Sequence, residues 1–166
     1  MTTFWDADGF IALADAVAYE GFIGQDWQLP EVVDLFQARV DEGRLAVMYV
    51  GQELAQGRFE LVDAPSAAPA EFEWTQPLQV VSGQLSFVTY TALTMVALFD
   101  DERLADQGSE LEAAWAVDPG AYSLTFRRLA VDAPLGEDEF PPWEVVLAPG
   151  AGNAPGPFPG SEELRA

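Results

Sequence analysis

The stretch Glu71-Phe72-Glu73-Trp74 puts two carboxylates on one face of an extended chain and two aromatic rings on the other. A period of two is the mark of a half-buried strand. Arg58-Phe59-Glu60-Leu61-Val62 alternates in the same way, and Asp63–Ala70 between them is a loop rich in Pro and Ala. Downstream, Pro77–Val81 and Gln84–Tyr90 flank Ser82-Gly83, which reads as a two-residue hairpin turn. Thr91–Phe99, Leu111–Val117, Ala121–Val131 and Pro142–Ala148 read as further strands, with Asp118-Pro119-Gly120 as a turn.

Upstream, Arg44–Val50 is apolar and β-rich and ends at a Gly51-Gln52 turn. Residues 9–19 are ambiguous between strand and helix, and the preferred reading is a strand ending near Asp15. A helix is expected over residues 30–42. Pro30 suits its first position, Glu31 and Asp34 favour the positive end of its dipole, and Gly43 is a natural stop. Val32, Val33, Phe36 and Val40 recur at helical spacing, so one face should pack on a sheet.

The expected fold is therefore mainly β: an antiparallel β-sandwich or open barrel with one short helix. Parallel α/β architecture needs helical crossovers for which the chain has no room. After Pro149 the sequence is almost all Gly, Pro and Ala. Residues 1–148 are thus expected to form a single β-rich domain. Residues 149–166 are expected to be a flexible tail, disordered or laid extended over the surface.

Charge is the strongest compositional feature. The chain carries 28 acidic residues against seven Arg and no Lys, for a formal net charge of −21. Fourteen acids fall in residues 1–83 and fourteen in 84–166, so the charge is not confined to a tail. Such a field repels nucleic acid and anionic lipid and attracts basic proteins. It also serves solubility alone.

Absent residue types close most enzymatic routes. Without Cys or His there are no thiolate or imidazole ligands, no Cys nucleophile and no imidazole base. Without Lys there is no Schiff base. No cofactor is implied. The N-terminus has no secretory pattern, and the apolar run at Ala92–Phe99 is too short to span a bilayer, so a cytoplasmic location is expected. The Ala, Gly, Pro and Arg richness without Lys points to a high-GC bacterial source.

Four constellations bear on chemistry. Phe4–Asp15 echoes a calcium loop, with Asp6, Asp8, Gly9, Ile11 and Asp15 at loop positions, but Phe4 replaces the first ligand. The simpler reading is a surface turn at Asp8-Gly9. Glu71 and Glu73, at i and i+2 of a strand, stand roughly 6–7 Å apart, within the spacing of a glycosidase pair. Strands also carry such pairs merely as solvated faces. Asp100-Asp101-Glu102 and Glu137-Asp138-Glu139 are the densest acidic clusters. Both are expected on loops, either as ordinary solvated charge or as contact patches for a basic partner. Arg127-Arg128 on a strand face opposite sides, and one is expected to pair with a carboxylate.

The order of features resembles a family of small bacterial β-sandwich proteins: the competence-locus nuclease inhibitor and related immunity-type domains. The resemblance lies in Asp26-Trp27 before a helix ending at Glu42-Gly43, then Val80-Val81-Ser82-Gly83-Gln84-Leu85, then Val117-Asp118-Pro119-Gly120-Ala121-Tyr122-Ser123-Leu124. It spans roughly residues 10–131 and is one of pattern more than identity. It implies an acidic protein that masks the basic groove of a nuclease or toxin, and it transfers no functional residue.

The leading expectation is a non-enzymatic binding protein of the inhibitor or immunity type. Its partner would be basic, and its contacts would be Asp100, Asp101, Glu102, Glu137, Asp138 and Glu139. The alternatives are a structural subunit of a larger assembly and a carboxylate-based hydrolase.

Overall fold

The computed structural model describes residues 2–52, 55–107, 111–137, 139–150, 152 and 155–165. Among the described residues, nine strands form two sheets. One has five strands in the order β1 (Thr2–Trp5), β4 (Gln56–Val62), β9 (Pro142–Pro149), β8 (Gly120–Leu129), β5 (Ala70–Val80). The other has four, in the order β3 (Ala46–Tyr49), β2 (Phe10–Ala14), β6 (Gln84–Val88), β7 (Leu111–Ala116). The fold is a β-sandwich carrying a helical layer. Strand pairing is antiparallel except between β4 and β9, which run parallel. Nearly eighty residues separate that pair, so no tight turn dictates its direction.

Two cores share the four-stranded sheet. Phe59, Phe87, Phe126 and Trp143 fill the space between the sheets. On the other side of the four-stranded sheet, helix α1 (Leu29–Asp41) buries Val32, Val33, Phe36 and Val40 against Phe10, Ala12 and Val47. Strand β2 lies between both cores and is buried at all five positions. Ile11 and Leu13 face the inter-sheet core, and Phe10, Ala12 and Ala14 face the helices. That double burial explains why residues 9–19 show no alternation: both faces had to be apolar. Helix α1 begins one residue earlier than expected. The Gln28 amide donates to Glu31 Oε1 at 3.1 Å, and Gly43, with φ +73°, ends the helix.

The segment expected as a strand over Thr91–Phe99 is instead a second helix, α2 (Tyr90–Leu98). Thr89 caps it, its side chain accepting from the Ala92 amide at 3.1 Å, and Asp6 Oδ2 accepts the Tyr90 amide at 3.1 Å. Ala92, Leu93, Val96 and Ala97 form its buried stripe. The Thr-rich composition favours a strand, but the caps and the helical spacing of the buried residues prevail.

The Ser82-Gly83 turn is real, with Gly83 at φ +88°, but it is not a hairpin. Strand β5 pairs with β8 in one sheet, and β6 pairs with β2 and β7 in the other. The turn carries the chain between sheets. Expected strands Glu71–Trp74 and Pro77–Val81 are one long strand, and Pro77 is tolerated because β5 is an edge. The Asp118-Pro119-Gly120 turn is latched by the Tyr122 hydroxyl, which donates to Asp118 O at 2.5 Å.

Over residues 155–165 the C-terminal segment is laid along the surface and held there. Phe158 is 1% exposed in the helix-side core, and its amide donates to Gln37 Oε1 at 2.9 Å. Helix α3 (Ser161–Arg165) packs on α1, with Arg165 paired to Asp34. The reason is the free edge of β3. The Tyr49 amide donates to Pro159 O at 2.8 Å. With its side-chain amide turned so that the nitrogen donates to Leu45 O (3.2 Å) and the oxygen accepts from Val47 N (3.3 Å), buried Gln76 serves the same edge. Unpaired strand edges are hazards, and this one is sealed by a strap and a glutamine.

Gly160 sits at φ +83°, and a Cβ there would stand 2.2 Å from Tyr49 O. Gly160→Ala is expected to release residues 155–165 and expose them to carboxypeptidase. An unchanged digestion pattern would show that the strap is held elsewhere. No described helix is long and apolar enough to cross a membrane.

Candidate functional site

The buried acids are committed to holding the fold. Asp6, Asp15 and Glu144 are the buried carboxylates among the described residues. Asp6 accepts from the Asp8 amide at 2.8 Å and from Tyr90, which joins the β1–β2 turn to α2. The Asp8-Gly9 turn is present, with Gly9 at φ +93°. Among the described residues no group of three or more His, Cys, Asp or Glu could hold a metal.

Asp15 accepts from Val81 N, Ser82 N and Ser82 Oγ, each at 2.7 Å, and so clamps the sheet-to-sheet turn. Glu144 accepts from Arg127 Nη1 and from the Ser66 amide at 3.3 Å. Arg127 also donates to Glu73 Oε1 at 2.7 Å and to Ala68 O at 2.9 Å, which pins the Asp63–Ala70 loop over the outer face of the sheet. Arg128 Nε donates to Glu71 Oε1 at 2.5 Å. Both arginines are therefore ion-paired, not one, and Glu71 and Glu73 are each held by a guanidinium rather than poised around a substrate.

These carboxylates set the acid response. Burial pushes the Asp6 carboxyl above its ordinary value despite the amides of Asp8 and Tyr90. At Asp15, burial acts upward too, but the hydrogen bonds from Ser82, Val81 and Ala18 outweigh it and hold the carboxyl low. At Glu144, burial is likewise outweighed by Ser66 and Arg127. A lowered folded value means stability present above the unfolded value and lost as pH falls through the folded one. The raised Asp6 works the other way, and protonating it favours the fold. Partial neutralisation of −21 also relieves self-repulsion. The thermal midpoint is expected to rise from pH 7 to about 5 and to fall below about pH 4. Calorimetry across that range checks it, and a midpoint that declines steadily from neutrality contradicts it.

The remaining acids whose side chains are described are half-buried or exposed. Asp100, Asp101 and Glu102 form the turn after α2, as loop residues. Asp100 and Asp101 are exposed, and Glu102 Oε2 accepts from Gln107 Nε2 at 2.7 Å. Glu137 and Glu139 are exposed on the β8–β9 connection, where Glu139 Oε1 accepts the Gly136 amide at 3.3 Å. Asp138 lies outside the described residues. Asp100–Glu102 thus follow a helix, whereas Glu137 and Glu139 lie between two strands of the five-stranded sheet.

Asp100 and Glu102 border a cavity of about 600 Å³ between the Val17–Phe22 segment, the end of α2 and α1. Glu20, Phe22, Arg39 and Arg103 complete its rim. Phe22 is 52% exposed and Val17 63%. The segment is tied to α2 by the amides of Ile23 and Gly24, which both donate to Ala97 O at 2.9 Å. Arg39 is committed: its Nε donates to Glu20 O at 2.6 Å and its Nη1 to Glu42 at 3.0 Å. Sequence reading missed Val17, Glu20 and Phe22. The available signal was an aromatic between two glycines, Gly21-Phe22-Ile23-Gly24, too hydrophobic for a plain linker.

No family model matches the chain, and no curated protein matches it. Two solved structures are similar to it. One is ComJ from Bacillus subtilis, an inhibitor of the DNA degrading activity of NucA. It is 10% identical, with a TM-score of 0.48, over 89% of this chain and 93% of that one. It is a nuclease inhibitor of the kind that the sequence pattern resembles. The other is crocagin biosynthetic gene J, 16% identical, with a TM-score of 0.47, over 86% of this chain and 92% of that one.

Proposed function

We propose that the chain is a non-enzymatic acidic binding protein of the inhibitor or immunity type, which neutralises a basic enzyme such as a nuclease or toxin. The observation that carries this reading is where the charge lies. Three described carboxylates are buried in structural roles, and the other described acids face solvent wholly or in part. Four of the seven arginines are tied into ion pairs. What faces a partner is therefore a negative field on a packed scaffold, suited to steering a cationic surface into contact. The engagement of Glu71 and Glu73 by arginines argues against the hydrolase alternative.

A tagged chain is expected to retain a basic enzyme at low salt, to release it at high salt, and to abolish its activity at equimolar ratio. Retention indifferent to salt, or a retained enzyme that stays fully active, would overturn the proposal.

A further inference from the structure

Three features meet at the depression beside α2. Its rim carries the carboxylates of Glu20, Asp100 and Glu102. Phe22 and Val17 stand there more than half exposed, although apolar side chains of this size usually find cover in the fold. At its floor, Tyr19 is 5% exposed, and its hydroxyl has no hydrogen-bond partner. Burial holds that phenol in its neutral form, so it keeps both a donor and an acceptor. Gly21 lies over it, and a Cβ there would stand 2.7 Å from the hydroxyl oxygen. Gly21 therefore closes over the phenol, whose oxygen is buried.

The charges on the rim say what kind of partner the depression fits. Arg39 is already neutralised by Glu42, which leaves Arg103 as the other cation on the rim, against three lining carboxylates. Asp101 and Asp106, next along the chain, add to the negative side. A cation is favoured. Phe22 beside those carboxylates favours a planar, weakly hydrated cation that stacks on a ring while its N–H groups reach acids.

We infer that this depression is the docking site for an arginine side chain on a protruding loop of a basic partner protein, with Phe22 as the stacking surface and Glu20, Asp100 and Glu102 as its acceptors. This inference rests on the binding role proposed above and assigns it a place. Of the two acidic clusters, it selects Asp100–Glu102 and leaves Glu137 and Glu139 as solubilising charge.

The test uses the full chain and a fluorescein-labelled peptide of alternating Gly and Arg, followed by anisotropy at low salt. Asp100→Asn with Glu102→Gln, and separately Phe22→Ala, are each expected to weaken binding about tenfold. Glu137→Gln with Glu139→Gln removes the same charge elsewhere and is expected to change binding by less than about twofold. A peptide with Lys in place of Arg is expected to bind more weakly. Equal loss from both acidic pairs, or no loss from Phe22→Ala, would mean that diffuse charge attracts the peptide without a site, and would sink the inference while sparing the proposed function. Equal affinity for the Lys peptide would overturn the guanidinium assignment. Failure of the unaltered chain to bind either peptide would overturn the inference, while the proposed function stands or falls on retention of a basic enzyme. Circular dichroism of each variant shows that the fold is intact.

Discussion

Arg127→Met is expected to destabilise the fold by about 3–5 kcal/mol, because it strands the buried carboxylate of Glu144 without its cation. The two partners of Arg127 differ in what they contribute. Glu73 is more than half exposed, so its bond is screened by water, and Glu73→Gln is expected to cost less than about 1 kcal/mol. Glu144 is buried, and water cannot replace the guanidinium there. Arg127 also holds Ala68 O at 2.9 Å, so its loss should loosen the loop over the outer face of the sheet. Arg127→Met with Glu144→Leu removes both charges together and is expected to recover a large part of the loss, since a well-packed apolar pair avoids the desolvation of either ion. Urea unfolding of the two single variants and the double variant measures the coupling. A double variant as unstable as the sum of the single ones would show that the ion pair itself contributes little.

Asp15→Ala is expected to cost about 3 kcal/mol, through the sheet-to-sheet turn rather than through the core. Three donors at 2.7 Å converge on one carboxylate: two backbone amides and the Ser82 hydroxyl. Val17 and Ala18 amides add weaker bonds at 3.2 and 3.3 Å. Hydrogen bonds to an ionised acceptor are the strong kind. Asp15→Asn keeps the shape but sets an amide N–H₂ against donors, so an intermediate loss is expected. Because the Asp15 carboxyl is held low in the fold, Asp15→Asn should also flatten the acid limb of the stability profile. An unchanged acid limb would place the acid sensitivity elsewhere, with Glu144 the next group to replace.

Both predictions concern charges that the chain has turned inward, and they sharpen the contrast with the surface. An acidic protein with three arginine-linked or amide-linked carboxylates inside and the other described acid side chains wholly or partly exposed has separated its structural electrostatics from the field it presents. The separation allows surface acids to be changed for binding tests without threatening the fold, which is what the Asp100, Glu102, Glu137 and Glu139 variants rely on.

The α1 helix, most of the strands and the mainly β class were determined by sequence alone. Local signals suffice there: Pro30 and Gly43 bracket a helical stripe, and Glu71–Trp74 alternates because only one side of β5 meets a core. The exclusion of thiol, imidazole and amine chemistry was also decided by composition, since a missing residue type cannot be supplied by folding.

Other features were decided only in the tertiary structure. Tyr90–Leu98 became a helix because Asp6, more than eighty residues away, joins the local cap Thr89 in satisfying its first amides. Ser82-Gly83 has the local chemistry of a hairpin, yet Asp15, more than sixty residues away, holds it as a passage between sheets. The Gly- and Pro-rich C-terminus carries one strongly apolar residue in its middle, Phe158, and nothing in the segment announces that the edge of β3 awaits it. The depression at Tyr19, Phe22 and Glu102 is assembled from pieces that are each unremarkable in sequence. Periodicity reports which face of an element is buried. Which elements meet, and which polar groups are left over where they meet, depends on contacts between residues far apart in the chain.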